Sequence, residues 1–319
     1  MHKTIALMSA VVAATLVTGV QAQTYPAKPV RLVVAFATGG ATDTFSRITA
    51  AELTKSLGQQ VIVENRPGAG TTIAAELVAK SAADGYTLLF TDMSTHAITP
   101  SLYSKLSYNP QRDLMAVAPV STSPLIMVAH PSLGVKSAKE LIALAKKNPG
   151  ITCGNSGVGT VTHMAAEKFR MRAGINLEMV NYKGGTTSTV SLLTGELSLI
   201  VNTIPAAIEY VRSKRLIAIG ITADKRVAAF PDIPALGETV RGVDAAVIAG
   251  IFAPANTPRN LIEQLNAEIA KAVEAPKSRE IFAANAAEAM KLSPEAMQQM
   301  LEQDVKTWAD VVKATGVKQ

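Results

Sequence analysis

The stretch Arg31-Leu-Val-Val-Ala-Phe-Ala-Thr-Gly-Gly-Ala-Thr-Asp-Thr-Phe-Ser46 joins an apolar segment to a glycine pair and a polar turn. The β-branched run from Val30 to Phe36 predicts a buried strand. Thr42 or Asp43 is a typical N-cap for the amphipathic segment that follows, which predicts a helix over Asp43–Leu57. A strand, two glycines and a helix start together direct free backbone N–H groups at an anion. The alternative is that the glycine pair only forms a tight turn.

The first residues have the pattern of an export signal. Lys3 precedes an uncharged apolar run from Ile5 to Val20, and Val20-Gln21-Ala22 fits a cleavage site of small residues. We therefore predict a signal peptide over residues 1–22 and a soluble, exported mature chain. A membrane anchor is the alternative, but the run is shorter than the roughly 20 apolar residues that a spanning helix needs.

Composition argues against several classes of protein. The formal net charge is +6, but the basic residues are scattered, and only 4% of residues are aromatic, so nucleic-acid binding is not indicated. The single cysteine, Cys153, has no partner for an internal disulfide. We expect it to be a small buried hydrophobic residue in a chain stabilised by its apolar core.

Strands and helices alternate along most of the chain, which indicates parallel sheets with right-handed crossovers. After the first strand and helix, the predicted elements of the first unit are strands at Gln60–Glu64 and Tyr86–Thr91 and a helix at Thr72–Ser81. The second unit is predicted to have strands at Leu125–His130, Ile151–Gly154, Asn176–Val180, Leu197–Val201 and Leu216–Ile221, with helices at Ser137–Lys147, Val161–Ala173, Thr187–Leu193 and Pro205–Arg212. Ser137 is the predicted cap of its helix, because Glu140 follows it at the spacing of a capping box.

The connections between these units lead to a prediction of the architecture. Met93–Asn109 is expected to be irregular, and Val117–Val120 to be a strand separate from the next one. A strand at Ala246–Phe252 and three final helices at Arg259–Glu274, Pro276–Asn285 and Pro294–Thr315 return to the first unit. The apolar stripe of the last helix predicts core packing, with a partner-docking face as the alternative.

This order of elements predicts a two-lobed α/β protein with a ligand cleft between two Rossmann-like domains. Residues 23–124 together with 226–319 are predicted to form domain 1, and residues 125–225 to form domain 2. In open parallel sheets, ligands bind beyond the carboxyl ends of the strands, where helix N-termini gather.

Four later strand-to-helix junctions share the small polar chemistry of the first loop. Each alone is an ordinary capped turn, but α/β topology brings several of them to one cleft, so together they predict a site for a carboxylate or similar anion. The candidate ligand-binding residues are Phe36, Thr38, Gly39, Gly40, Ala41, Thr42, Asp43, Asp92, Ser94, His96, Asn155, Ser156, Gly159, Thr160, His163, Tyr182, Lys183, Gly184, Asn202 and Thr203.

Enzyme signatures are incomplete in this sequence. Gly154-Asn-Ser-Gly-Val158 lacks the last glycine of a nucleophile elbow, and Gly68-Ala-Gly-Thr-Thr-Ile73 lacks the third glycine of a dinucleotide fingerprint. His96, His130 and His163 do not have the spacing of metal ligands. We therefore predict no catalytic residues, no metal and no cofactor.

A series of short motifs runs in order along nearly the whole chain. They are Tyr25-Pro-Ala-Lys-Pro-Val-Arg31, Phe36-Ala-Thr-Gly-Gly-Ala-Thr-Asp43, Val63-Glu-Asn-Arg-Pro-Gly-Ala-Gly70, Asp84-Gly-Tyr-Thr-Leu88, Ser94-Thr-His-Ala97, His130-Pro-Ser-Leu133, Asn181-Tyr-Lys-Gly184, Pro231-Asp-Ile-Pro234 and Phe252-Ala-Pro-Ala-Asn-Thr-Pro258. This series resembles the tripartite tricarboxylate transporter receptor family, also called Bug proteins.

The resemblance implies a periplasmic solute-binding protein of the type II, Venus-flytrap kind. Such a protein captures a small di- or tricarboxylate, an aromatic acid or a similar solute by domain closure and delivers it to membrane permease subunits. The resemblance also implies that Thr38–Thr42 closes over the ligand, partly through bridging waters. In the second lobe, Asn155–Thr160 and the Tyr-Lys-Gly segment are implied to hold a carboxylate.

Other partners and activities remain open at this point. A sensor kinase or another membrane signalling partner is an alternative to a permease, and an exported hydrolase is an alternative activity. We expect a monomer that binds no nucleic acid.

The sequence departs from the usual family motif at positions expected to touch the ligand. Thr38 stands where proline is common, and Ala41 where glycine is common. In the second lobe, Asn155 replaces a common serine, and Cys153 replaces a common aromatic residue. These differences leave anion binding intact as a prediction and the identity of the ligand open.

Overall fold

The computed structural model describes residues 25–103 and 105–318. The predicted signal peptide lies outside the described residues. Among the residues that are described, no helix combines the length and the apolar character that a membrane span requires.

Two sheets share one long strand. The strands are β1 (Val30–Val34), β2 (Val61–Asn65), β3 (Thr87–Asp92), β4 (Leu114–Ala129), β5 (Thr152–Asn155), β6 (Glu178–Asn181), β7 (Leu199–Thr203), β8 (Ile217–Ile221), β9 (Ala246–Pro254) and β10 (Glu288–Ala289). The helices are α1 (Ala41–Leu57), α2 (Thr72–Ala79), α3 (Met93–Leu102), α4 (Ala138–Lys147), α5 (Val161–Ala173), α6 (Gly185–Leu193), α7 (Ile204–Arg212), α8 (Arg259–Glu274), α9 (Pro276–Ala284) and α10 (Pro294–Thr315).

The first sheet contains β1, β2 and β3 in parallel, with β9 antiparallel to β3 and to the first part of β4. The short strand β10 also pairs with β4. The second sheet contains the last part of β4, which is antiparallel to β7 and β8, and the parallel strands β5, β6 and β7. We call the parts of the chain around these sheets the first and second lobes.

The register along β4 brings the carboxyl ends of the parallel strands of both lobes toward one place. Asp92, the last residue of β3, is opposite Ala249 of β9, which in turn is opposite Ser121 of β4. Thr203, the last residue of β7, is opposite Leu125 of β4. Four residue steps along a strand span about 13 Å. The loops that follow the parallel strands therefore gather on the two sides of this short part of β4.

Three apolar clusters form the interior. One joins α1, α8 and α9 in the first lobe, where the rings of Phe45 and Phe282 meet edge to face at 5.1 Å. Another packs α6 and α7 in the second lobe. The third extends through both lobes, because it contains Ile98 of α3, Met164 of α5 and Leu301 of α10.

Two predictions about the interior are confirmed. Cys153 is completely buried, and burial raises the pKa of its thiol to about 12. The apolar stripe of α10 is core, since Leu301, Trp308 and Val311 are all buried.

The predicted elements are found with small shifts at their ends, and α5 begins and ends at the predicted residues. The predicted cap of α4 is also confirmed. The Ser137 hydroxyl accepts from the Glu140 N–H at 3.2 Å, and the Glu140 carboxylate accepts from the Lys136 N–H at 2.7 Å.

Two predictions about the connections are wrong. Met93–Asn109 is not irregular, since α3 occupies Met93–Leu102 with Pro100 inside it. The side chain of Asp92 caps this helix, and the cap stabilises a helix that the proline alone would disfavour. The strands predicted at Val117–Val120 and Leu125–His130 are one strand, β4. Pairing with β9 and β10 keeps the intervening Ser-Thr-Ser-Pro segment extended.

The chain passes between the lobes at β4 and again between β8 and β9, and Thr222 ties these two passages together. Its hydroxyl accepts from the Leu125 N–H at 2.8 Å and lies 2.6 Å from the Ala245 carbonyl oxygen, to which it donates. Thr222 is buried, so a side chain without the hydroxyl would leave both backbone groups without this partner.

Replacing Thr222 by valine keeps the side-chain volume and removes only the hydroxyl. We expect Thr222→Val to lower the free energy of unfolding by about 1–3 kcal/mol, because buried backbone groups lose hydrogen bonds. Urea denaturation followed by circular dichroism measures this change. The matched control is Thr194→Val, since the Thr194 hydroxyl is exposed and bonds only to the carbonyl of Ser191. Equal stability of the two variants would contradict the role assigned to Thr222.

Candidate functional site

The first loop, between β1 and α1, is shaped by the buried carboxylate of Asp43. This carboxylate accepts the Gly39 N–H at 3.0 Å and the Asn65 side-chain amide at 2.8 Å, and Arg47 donates to it at 3.0 Å. The Asn65 amide also donates to the carbonyl of Phe36. Burial by itself would raise the pKa of Asp43, but the hydrogen bonds from Arg47, Gly39 and Asn65 lower it below the ordinary value.

The same loop presents an uncapped helix N-terminus. Gly40 is the N-cap of α1, and no side chain caps the helix. Among the described residues, the N–H groups of Gly40, Ala41 and Thr42 have no hydrogen-bond partner. Thr38, Gly39 and Gly40 are exposed. Gly39 has φ +86°, a conformation that side chains other than glycine rarely adopt. The loop therefore offers open backbone donors at the positive end of the α1 dipole.

In the second lobe, the β5–α5 and β6–α6 loops are bonded to each other. The Asn155 side chain donates to the Asn181 side-chain oxygen at 2.9 Å and accepts the Gly157 N–H at 2.8 Å. The Gly184 N–H donates to the carbonyl of Ser156 at 3.1 Å. The buried asparagine thus sets the shape of two loops, while Ser156 remains partly exposed.

Asn202, near the end of β7, also holds a neighbouring loop in position through its side chain. Its side-chain amide donates to the Gly185 carbonyl at 2.8 Å and to the Thr189 hydroxyl at 3.0 Å. A Cβ atom on Gly185 would lie 2.4 Å from the Asn202 side-chain oxygen, so this close approach requires glycine. The amide holds the start of α6 against the end of β7.

The start of each of α6 and α7 is open. Gly184 and Thr203 are the N-caps, and neither helix has a side-chain cap. The exposed Lys183 places a cation in the same loop. Tyr182 is partly exposed and packs beside Gly154. These groups form an open, positive end of the second lobe that matches the open start of α1 in the first.

The side chains of Asp92 and Ser94 form hydrogen bonds with backbone groups in the protein interior. Asp92 accepts the N–H groups of Ser94 and Thr95 at 3.2 Å and that of Ile248 at 3.0 Å, and burial raises its pKa. The Ser94 hydroxyl donates to the carbonyl of Ala246 at 3.0 Å. Both residues therefore fasten α3 to β9.

The two predicted histidines are also internal. His96 lies 3.3 Å from the Pro110 carbonyl oxygen and packs on the ring of Phe252, and burial lowers its pKa to about 4. His163 accepts the Gly159 N–H at 3.1 Å, and burial, with a smaller effect of Arg170, lowers its pKa to about 4. The 3.8 Å approach of His163 to Glu167 is therefore not an ion pair near neutral pH, because the imidazole is neutral.

The starts of α3 and α5 meet where the two lobes join. The Val161 N–H donates to the Thr95 hydroxyl at 3.4 Å. A Cβ atom on Gly159, which has φ +75°, would lie 2.2 Å from the Leu102 side chain. Thr160 caps α5 by accepting the His163 N–H and donates to the Gly157 carbonyl. This part of the β5–α5 loop belongs to the contact between lobes.

Sequence reasoning missed the residues that hold the loops in place. Asn65 and Arg47 bond to Asp43, Asn181 bonds to Asn155, and Thr95 donates its hydroxyl to Asp92. Asn65 and Asn181 lie within motifs that the sequence made visible, whereas nothing in the sequence distinguishes Arg47 from other helix-surface arginines. In the part of the chain that the structure describes, no group of three or more His, Cys, Asp or Glu residues is placed to hold a metal ion.

Comparisons with known proteins agree with this architecture. Residues 45–317 match the family described as "Tripartite tricarboxylate transporter family receptor". Protein BugT of Bordetella pertussis is 36% identical over 304 residues, which are 94% of this chain and 93% of BugT.

Solved structures of periplasmic binding proteins also match this chain over most of its length. The periplasmic binding protein BugD is 31% identical, with a TM-score of 0.82 over 92% of this chain and 99% of that one. The R. palustris protein Rpa4515, solved with adipate, is 30% identical, with a TM-score of 0.84 over 92% of this chain and 98% of that one. The predicted two-lobed α/β fold, with its cleft between Rossmann-like domains, is confirmed. This chain belongs to the tripartite tricarboxylate transporter receptor family, the family of the Bug proteins.

Proposed function

We propose that this chain is a periplasmic receptor that captures a small carboxylate between its lobes and delivers it to the permease subunits of a membrane transporter. The observation that carries the proposal is the set of three uncapped helix N-termini, those of α1, α6 and α7, at the loops that gather around Ser121–Leu125. Open N–H groups and the positive ends of helix dipoles favour a bound anion.

The distribution of donors supports a ligand with two separated acceptor groups. The first lobe offers backbone N–H groups at Gly40–Thr42, and the second lobe offers the starts of α6 and α7 with Lys183 beside them. A dicarboxylate would place one carboxylate on each lobe. Adipate, the compound solved with the R. palustris relative, has this form.

The roles of the candidate residues divide into two groups in this proposal. Residues with open backbone or side-chain groups contact the ligand; they are Thr38, Gly40, Ala41, Thr42, Ser156, Tyr182, Lys183 and Thr203. Residues whose side chains or backbone N–H groups are bonded or packed within the protein shape the loops; they are Phe36, Gly39, Asp43, Asp92, Ser94, His96, Asn155, Gly159, Thr160, His163, Gly184 and Asn202.

Binding is proposed to work by closure of the two lobes. We infer that residues 25–124 with 226–318 move as one body and residues 125–225 as the other, with β4 and the segment around Thr222 between them. A ligand that touches both bodies favours the closed arrangement by its higher affinity for it. The family is one of solute-binding receptors, and we propose that the cleft binds its ligand without turnover.

Calorimetric titration with adipate, malate, citrate, benzoate and an uncharged diol tests the ligand class. We expect at least one carboxylate to bind with a Kd below about 1 mM and the diol not to bind. The bound compound should be recovered unchanged after prolonged incubation. Failure of every carboxylate would refute the proposal, and conversion of the ligand would indicate an enzyme.

The first loop is tested by replacing Gly40, whose backbone any residue can adopt and which has no atom within 4 Å of a built Cβ. We expect Gly40→Val to fold normally and to weaken binding at least about tenfold, because its side chain would cover the open N–H groups of α1. Calorimetry measures the affinity, and thermal denaturation verifies the fold.

Gly150→Val is the matched control for this experiment. Gly150 is also exposed and free of left-handed strain, but it precedes β5 at the opposite end of the second sheet. The Gly150→Val variant should bind the carboxylate with the same affinity as the unmodified chain. Unchanged affinity in Gly40→Val would remove the first loop from the ligand site.

A further inference from the structure

A cavity of about 760 Å³ lies beside the passage of β4 between the lobes, where α10 packs near α5. Thr122 and Pro124 of β4 form part of its wall, and Lys168, Asp304 and Trp308 form another part. Of the residues proposed above for the ligand cleft, only Ser94 lines it. The cavity is thus separate from the open helix N-termini.

A buried lysine connects the two lobes at this cavity. Lys168 of α5 is only 6% exposed, and its ammonium group donates to the Asp244 carbonyl at 2.6 Å. The same nitrogen lies 3.2 Å from the Asp244 carboxylate and 5.5 Å from the centre of the Trp308 ring. A charge on the second lobe is therefore held by the segment that enters β9 and by α10, which packs on the first lobe.

Asp304 of α10 is a carboxylate without a partner of its own. In the described part of the chain it forms no hydrogen bond or ion pair, although it is half-buried and lines the cavity. Lys168 of α5 and Asp244, which precedes β9, line the same cavity, and Asp92 at the end of β3 is the third charged group that acts on Asp304. The single lysine is already bonded to Asp244. The ionised form of Asp304 is therefore poorly stabilised in this arrangement.

The remaining charged groups around the cavity do not supply a counter-ion. Arg226 is paired with Glu238, and the other two, Asp224 and Glu288, are acidic. Burial, followed by the negative charge of Asp92, raises the pKa of Asp304 to about 6; Lys168 opposes this shift, and Asp244 adds the smallest contribution to it.

We propose that Asp304 makes the relative arrangement of the two lobes depend on protonation. The neutral side chain stabilises the arrangement described here, in which α10 forms part of the cavity wall. The ionised side chain favours an arrangement in which the cavity widens and the carboxylate is hydrated or reaches Lys168. The inference rests on the contacts between lobes and needs no assumption about the ligand.

The direction of the pH dependence follows from linkage. A carboxyl group with a raised pKa binds its proton more tightly here than in an arrangement where it is hydrated and has an ordinary pKa near 4. Lowering the pH toward the ordinary pKa therefore favours the arrangement described here. Raising the pH through about 6 favours the widened cavity.

Trp308, the one tryptophan in the sequence, reports directly on this cavity. Its fluorescence emission and its quenching by acrylamide can be followed from pH 4.5 to 8 in the full mature chain without any ligand. We expect quenching to increase as the pH rises, with a midpoint near 6, and the radius of gyration from small-angle X-ray scattering to change over the same range. Absence of a transition would overturn the proposal.

Variants identify the group that titrates. Asp304→Asn should abolish the transition, and Asp310→Asn, an exposed aspartate on the same helix, should leave it unchanged. Asp244→Asn removes one of the negative charges that face Asp304, so it should move the midpoint to lower pH. This variant also serves if Asp304→Asn does not fold, because the Asp244 side chain is 62% exposed. A transition that persists in Asp304→Asn, or a midpoint that Asp244→Asn does not move, would refute the assignment.

Discussion

The pairing of β4 with strands of both lobes is the constraint on which the site depends. Its first part is hydrogen-bonded to β9 and its last part to β7 and β8, so one strand transmits the register of each sheet to the other. That register places the ends of β3 and β7 within a few residues of each other along β4. The Thr222 hydroxyl then fastens the second passage of the chain to the first.

Buried polar side chains around the cleft hold the loops in shape, and backbone donors of the same loops remain free. Asp43, Asn155 and Asn202 are buried, and the side chain of each forms a hydrogen bond with a backbone group of a loop or helix start. Because these side chains hold the loops, the backbone at the starts of α1, α6 and α7 is fixed without a side-chain cap, and N–H groups of the first turn remain open. Such preorganised donors bind an anion without first having to be ordered.

The contact between lobes beside the cavity is mainly apolar, unlike the polar loops of the cleft. There an apolar cluster runs without interruption from α3 through α10 to α5, and it includes the cavity-lining Trp308. Ionisable groups at the edge of this cluster are costly unless they are paired, and Lys168 is paired whereas Asp304 is not. The contact between lobes thus combines a continuous apolar cluster with an unpaired carboxylate, that of Asp304, at its edge.

The local pattern of the sequence predicted the alternation of elements, the burial of Cys153, the cap at Ser137 and the loops at strand ends, because these depend on residues close in the chain. It failed at Met93–Leu102 and at Ser121–Pro124. Pairing with the distant strands β9 and β10 makes Ser121–Pro124 a strand. Pro100 made a helix at Met93–Leu102 look unfavourable from the sequence. Sequence also could not tell which polar loop residues have free groups, since His96, His163 and Asp92 differ from Lys183 only in their tertiary surroundings. The family and the fold class were determined by the sequence alone. The division of the loops into supporting and open groups was decided by the tertiary structure, because burial and hydrogen-bond partners come from residues far apart in the chain.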